Sequence, residues 1–133
     1  MKILIDTNIL ISAALSNTGT PFKAYIKAVS YPNTAVVCDQ NIDELRRIFN
    51  RKFPSKLSKL EEFLALFLTV VDIVPIPDSE FESEDKIRDV MDRPILRAAI
   101  NAKVDVILTG DKDFLESGLD YPKILTAADF LEL

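Results

Sequence analysis

Short apolar runs alternate along the chain with stretches whose apolar residues recur every three or four positions, and this alternation sets the predicted architecture. Lys2 to Asp6 is an apolar run closed by a carboxylate, the pattern of a buried parallel strand. Thr7 to Leu15 follows with Ile9, Leu10, Ala13 and Ala14 at helical spacing. Pro21 opens a second helix running to about Ser30, because proline suits a first helical turn. Thr34 to Cys38 is β-branched and apolar and predicts a second strand. Asn41-Ile42-Asp43-Glu44 reads as a capping box with Asn41 as N-cap, and its helix runs to about Phe53, where Pro54 stops it.

Ser58 to Glu61 repeats the capping signal before a helix through about Phe67. In that helix Leu60, Phe63, Leu64 and Phe67 form a stripe suited to a core or a subunit interface. Val70 to Val74 predicts a strand closed by Pro75 and Pro77, and residues 78 to 89 an acidic, exposed connection. Asp92-Arg93-Pro94 marks a helix start, with Asp92 as N-cap and Ile95, Leu96, Ala99 and Ile100 facing the core. Val104 to Thr109 is a strongly apolar strand ending at Gly110-Asp111. A short helix, an Ile124-Leu125 strand and a helix from about Ala127 complete the pattern.

Strands alternating with helices predict an α/β fold, with a parallel sheet and helices on both faces. A length of 133 residues suits one domain over residues 1–133. Ligands of such sheets bind outside the carboxyl ends of the strands. Asp6 and Asp111 each end a predicted strand, and Glu44 and Asp92 each lie at the first turn of a helix that follows one. All four carboxylates therefore reach one end of the sheet.

Composition narrows the chemistry. The chain has no histidine, which excludes serine-type triads, Cys-His dyads and histidine metal ligands. Its three glycines, Gly19, Gly110 and Gly118, build neither a phosphate loop nor a dinucleotide fingerprint. Cys38 is the only cysteine, so no intrachain disulfide forms. The most apolar stretch, Phe63 to Val71, is far shorter than the roughly 20 residues that span a bilayer, and Asp6 interrupts any signal-peptide core. These features predict a cytoplasmic protein with no membrane partner.

Carboxylates about 4 Å apart repel by roughly 4 kcal/mol per pair at an effective dielectric near 20. Taken singly, each acid also fits a capping or turn role. Taken together, with oxygen ligands only, they suit one or two Mg²⁺ or Mn²⁺ ions. The net charge of −5 argues against a polyanion partner, but two divalent ions would bring it to about −1. The charge is also uneven: Arg46, Arg47, Arg51, Lys52, Lys56 and Lys59 fall in one stretch without an acid, whereas Asp78, Glu80, Glu82, Glu84 and Asp85 crowd another.

In order and spacing these segments resemble the PIN-domain nucleases, in particular the compact prokaryotic group that includes VapC-like toxins. Ile3-Leu4-Ile5-Asp6-Thr7-Asn8 looks like the opening strand with its first aspartate, and Glu44 within Asn41-Ile42-Asp43-Glu44-Leu45 like the family glutamate. Arg88 to Asp92 with Ile95 to Ala99 looks like the aspartate-opened helix, Val106 to Phe114 like the last acidic motif, and Ile124-Leu125-Thr126 with Phe130-Leu131 like the ending. Val90 and Met91 before Asp92, and Arg93 and Pro94 after it, depart from the family pattern.

The resemblance implies a three-layer α/β/α sandwich around a mainly parallel sheet, a homodimer, and metal-dependent cleavage of RNA, with an antitoxin as partner if the chain is a toxin. Asp6, Glu44, Asp92, Asp111 and Asp113 are then the catalytic set. Asp6, Asp92 and Asp111 are the principal metal ligands, Glu44 ligates directly or through a water, and Thr7, Asn8 and Thr109 orient the carboxylates. Arg46, Arg47 and Arg51 follow Glu44 on one helix and offer a path for a nucleic-acid strand. A catalytically weakened PIN-like domain that binds RNA or protein is the alternative. An aspartyl phospho-acceptor is disfavoured, because Asn8 stands where a second acid would be needed.

Overall fold

A strand buried on both faces must be apolar at every position, and the central strand meets that demand. In the computed structural model, which describes residues 1–133, β1 (Lys2–Ile5) carries Ile3, Leu4 and Ile5, all fully buried. Ile3 and Ile5 face one side and Leu4 the other, as a period of two requires. β2 (Thr34–Cys38) repeats this, with Ala35 and Val37 on the first side and Val36 and Cys38 on the second. β3 (Val71–Val74), β4 (Val106–Leu108) and β5 (Lys123–Leu125) complete a five-stranded sheet in the order β3-β2-β1-β4-β5, every pair parallel.

Helices cover both faces. On the first lie α1 (Thr7–Leu15), α2 (Thr20–Val29), α3 (Asp39–Lys52), α4 (Leu57–Val70) and α7 (Ala127–Leu131); their core includes Leu10, Leu45, Phe49, Leu64 and Phe130. On the second lie α5 (Arg93–Asn101) and α6 (Lys112–Leu115), packed through Ile95, Leu96, Ala99 and Phe114. The three-layer α/β/α sandwich expected from the sequence is therefore observed. The Leu60–Phe67 stripe is core: Leu60, Leu64 and Phe67 are buried, and the Phe63 ring lies 5.0 Å from that of Tyr25.

Two local expectations are corrected. Helix α3 starts earlier than its capping signal suggested: Cys38 is the N-cap, and Asn41 sits three residues in, where its Oδ1 accepts from the Cys38 N–H at 3.2 Å. An asparagine three residues into a helix can serve the cap backbone as a glutamate does, so the box starts three residues earlier than expected. The connection 78–89 is not uniformly exposed. Its 3₁₀ turn Glu82–Lys86 buries Glu84, and Ile87 joins the second-face core.

Arg97 of α5 holds Glu84 in a two-pronged pair, Nη2 to Oε1 at 3.0 Å and Nε to Oε2 at 3.1 Å. It also donates to the Pro77 carbonyl at 3.1 Å, and the Phe81 N–H donates to Glu84 at 2.6 Å. The acidic segment is thereby fastened to α5 just before Arg88 to Asp92. Burial alone would raise the Glu84 carboxyl, but the bonds from Arg97 and Phe81 and the charges of Arg97 and Arg93 hold it below its ordinary 4.5. A lowered carboxylate stabilises the fold above its unfolded pKa, and that contribution is lost as pH falls through the folded value. Glu84→Gln should therefore lower Tm by several degrees at pH 7. In melts from pH 7 to pH 3, the gap to the unmodified protein should close below about pH 4.5.

Candidate active site

Strands β1, β2 and β3 run outward in one direction from β1, whereas β4 and β5 continue on its other side. The order reverses between β1 and β4, and a crevice opens at such a switch point beyond the carboxyl ends of the strands. Asp6 follows β1 there, with its backbone N–H still bonded to the Leu108 carbonyl at 2.9 Å, and Thr109 follows β4. Both are buried. The Thr7 N–H donates to Asp6 Oδ1 at 2.9 Å and the Thr109 hydroxyl to Oδ2 at 2.8 Å, so both oxygens of the acid are fixed.

The same Thr109 oxygen accepts the Asp111 N–H at 3.0 Å, coupling the placement of the two aspartates. Asn41 Nδ2 donates to the Thr7 hydroxyl at 3.1 Å, and Asn8 Oδ1 accepts the Gly110 N–H at 3.1 Å. Thr7, Asn8 and Thr109, expected to orient the carboxylates, thus lie in one network joining β1, β4 and α3. Asp6 and Asp111 also serve as caps. Asp6 is the N-cap of α1, and Asp111, N-cap of α6, accepts the Asp113 N–H at 2.9 Å. Asp92 stands at the N-cap of α5 but makes no capping bond, which leaves its carboxylate to the cluster.

The electrostatics tie these acids together. Burial first, then the charges of Glu44 and Asp111, raise Asp6 to about 6 from 3.8, although the bonds from Thr109 and Thr7 pull the other way. Half-buried Glu44 is also raised, by burial and by Asp111 and Asp89, against the lowering influence of Arg47 and the Thr7 hydroxyl. Asp92 is pushed up to about 8 by burial and by the nearby carboxylates of Asp111, Asp6 and Asp89. Like charges so placed disfavour full ionisation of the cluster when no counter-charge is present. Asp89, Asp92 and Asp113 each offer an oxygen within 4.8 Å of the others.

Asp6, Glu44, Asp92, Asp111 and Asp113 are thus brought to one rim. Asp89 joins them without having been singled out in the sequence, hidden at the end of an acidic segment. Its signal was the three-residue spacing to Asp92, one helical turn apart. The donors are all carboxylate oxygens; Cys38, the only thiol, is buried and directed at Asn41 Oδ1. A set of oxygen ligands crowded with like charge fits a hard divalent cation.

The arginines of α3 divide. Arg46 pairs with Glu61 at 3.2 Å, while Arg47 lies near Glu44, and Glu44, Arg47 and Arg51 fall on one face at helical spacing. A groove of about 570 Å³ lined by Phe22, Tyr25, Ile26, Phe63 and Leu66 opens at the opposite end of α1 and shares no residue with the acidic rim. No helix is long and apolar enough to cross a membrane.

Comparison with curated protein sequences finds no match. Solved structures share the fold at low identity. The chain is similar to VapBC2 of Rickettsia felis, solved bound to a DNA fragment from its promoter, with 17% identity, a TM-score of 0.69, and coverage of 95% of this chain and 98% of that one. It is similar to VapC20 of Mycobacterium tuberculosis, a sarcin-ricin-loop-cleaving toxin, with 16% identity, a TM-score of 0.60, and coverage of 88% and 95%. A Pyrobaculum aerophilum protein gives 13% identity and a TM-score of 0.59, covering 99% of this chain and 96% of its own. The PIN domain model matches residues 2–113, a span that contains the sheet's switch point and every carboxylate of the rim, and the chain belongs to the PIN domain family.

Proposed function

We propose that the protein is a divalent-metal-dependent ribonuclease that cleaves RNA phosphodiester bonds by attack of water. The observation that carries this reading is the convergence of Asp6, Glu44, Asp92 and Asp111 on one rim, close enough for their charges to raise one another. Asp6, Asp92 and Asp111 would hold Mg²⁺ or Mn²⁺, with Glu44 and Asp113 at the margin. A bound ion supplies counter-charge to the scissile phosphate and lowers the pKa of water. Asp6 enters with both oxygens already oriented by Thr7 and Thr109, so little reorganisation is required of it. Glu44 suits the general base. Its carboxyl is raised above its ordinary range by burial, and Asp111 is committed to capping α6. Arg47 and Arg51 extend from Glu44 along α3 and would bind backbone phosphates on either side of the cleaved bond.

A toxin role, with an antitoxin as partner, draws its support from the similarity to VapBC2 and VapC20. Exposed Leu66, Val70 and Ile73 along α4 and the edge strand β3 favour a homodimer, and a cytoplasmic location accords with Cys38 as the only cysteine.

Asp6→Asn keeps the shape and removes one charge. Cleavage of single-stranded RNA with Mg²⁺ or Mn²⁺ should fall by at least about a hundredfold, the scale of losing a key electrostatic contact. EDTA should abolish the activity of the unmodified protein and Mn²⁺ restore it. Full activity in Asp6→Asn, or cleavage in EDTA, overturns the mechanism. An unmodified protein that binds RNA but cleaves none of a varied set would favour a binding module.

The raised acids also fix a pH dependence. Between an unfolded pKa of 3.8 and folded values of about 6 for Asp6 and about 8 for Asp92, the native state holds protons that the unfolded state has released. Stability of the metal-free protein should therefore fall as pH rises from about 4 to about 8. Added Mn²⁺ should raise Tm more at pH 8 than at pH 5, where protons compete for the ligands. In EDTA at pH 7, Asp6→Asn should hold or gain stability, by at most about 3 kcal/mol. A flat metal-free profile in thermal melts would remove the repulsion on which the site is argued.

Changing Arg47 and Arg51 together to Ala should weaken RNA binding and reduce the slope of log affinity against log salt by about 1 to 1.5. Arg46→Ala should change it less than either of these, because Glu61, 3.2 Å away, already offsets part of that charge. An unchanged slope in the double variant assigns this helix face to solvent.

A further inference from the structure

Two arginine–carboxylate pairs flank the rim, and they differ in kind. Arg97 and Glu84 are joined by two bonds to two oxygens, with side chains 13% and 4% exposed, and form a permanent fastening. Arg88 is 63% exposed and places both Nε and Nη2 3.0 Å from one oxygen, Asp113 Oδ1. A second acceptor, Glu116 Oε1, already lies 3.5 Å from Nη2. Asp113 is one of the three acids whose oxygens come within 4.8 Å of one another.

We propose that Arg88 is a built-in counter-ion of the carboxylate rim, which holds Asp113 while no divalent cation is bound and yields that carboxylate when a cation arrives. This rests on the reading that the rim takes a divalent cation. A guanidinium keeps its charge at every relevant pH, so while it holds Asp113 it offsets the negative charge that this carboxylate could offer a cation. Exposed ion pairs are worth little, which makes the Arg88 contact displaceable where the Arg97 contact is not. Glu116 gives the released side chain somewhere to go, and no backbone movement is needed. Arg88 thereby lowers mutual repulsion in the empty rim and weakens its outermost cation site.

Manganese binding tests this without recourse to activity. EDTA-stripped full-length protein, Arg88→Gln, Arg88→Lys, Asp113→Asn and the Arg88→Gln/Asp113→Asn double variant would be titrated with Mn²⁺, read by calorimetry and by the electron paramagnetic resonance of free Mn²⁺. Circular dichroism would confirm that each variant is folded. Arg88→Gln should tighten the weakest resolved Mn²⁺ step by about fivefold, the scale of removing one charge several ångströms away in a water-rich setting. Arg88→Lys should stay near the unmodified protein. In the Asp113→Asn background, the gain from Arg88→Gln should shrink clearly, because nothing then holds the guanidinium at the rim. Equal or weaker Mn²⁺ binding in Arg88→Gln, or the same gain without Asp113, overturns the proposal and leaves the metal reading standing. Failure of the unmodified protein to bind Mn²⁺ overturns both.

Discussion

Carboxylates that repel one another at the switch point of a parallel sheet are the constraint to which the surrounding structure answers. Left to themselves, acids this close would spread into solvent or stay protonated. Here the backbone prevents the first. Asp6 and Asp111 are each the N-cap of a helix, Asp6 is buried, and a single hydroxyl, that of Thr109, positions both. Capping is thus part of the site's construction. The backbone N–H groups that stabilise each helix start also aim the carboxylate, and the positive end of a helix offsets part of its charge. What remains unbalanced, visible in the raised carboxyls of Asp6, Glu44 and Asp92, is the deficit that a cation would fill.

That arrangement requires rigidity on both sides of the crevice, and each side obtains it differently. On the β1–α3 side it comes from Asn41, whose two polar ends reach the Cys38 N–H and the Thr7 hydroxyl. A buried amide satisfied at both ends locks two elements together, and an unsatisfied one would cost on the order of 1–3 kcal/mol. On the α5 side, the segment bringing Asp89 and Asp92 has little apolar surface of its own. The Glu84–Arg97 pair and buried Ile87 pin it instead. The placement of Asp89 and Asp92 therefore depends on a second ionic contact, made by the segment that precedes them.

The sequence made the scaffold legible wherever periodicity was the cause of structure. Thr7 to Leu15 and Thr34 to Cys38 match α1 and β2 end to end, because apolar spacing alone determines which face is buried. Asp6 and Asp111 were readable as site candidates because a carboxylate at the end of an apolar strand has one place to go in a parallel sheet. Asp89 was not, since in an acidic run one charge looks like its neighbours until a 3₁₀ turn sets it opposite Asp92 and Asp113. Glu84 was missed for the same reason. Its burial depends on Arg97, thirteen positions away, and no local pattern announces such a partner. The α3 cap lies three residues earlier than its capping signal suggests, because Asn41 serves the Cys38 amide behind it instead of an amide ahead of it in the helix.

The departures from the family pattern around Asp92 bear on whether the rim is intact. A cation directly after a metal-ligand candidate would compete with metal if it pointed into the site. Arg93 does not: its Nε donates to the Ile87 carbonyl at 3.0 Å, and its charge acts on Glu84 behind the rim. Pro94 occupies the first turn of α5, where no backbone N–H is missed, and so fixes the helix start that carries Asp92. Val90 and Met91 are exposed, in a turn held by the bond from Gln40 to the Met91 carbonyl and by the Asp89 cap. Each of these residues therefore strengthens the placement of Asp92 or leaves it free, and none withdraws an acid from the rim. With Arg93 aimed away, the rim's raised carboxyls stay without a counter-charge from that side, and this deficit is what the proposed divalent cation would fill.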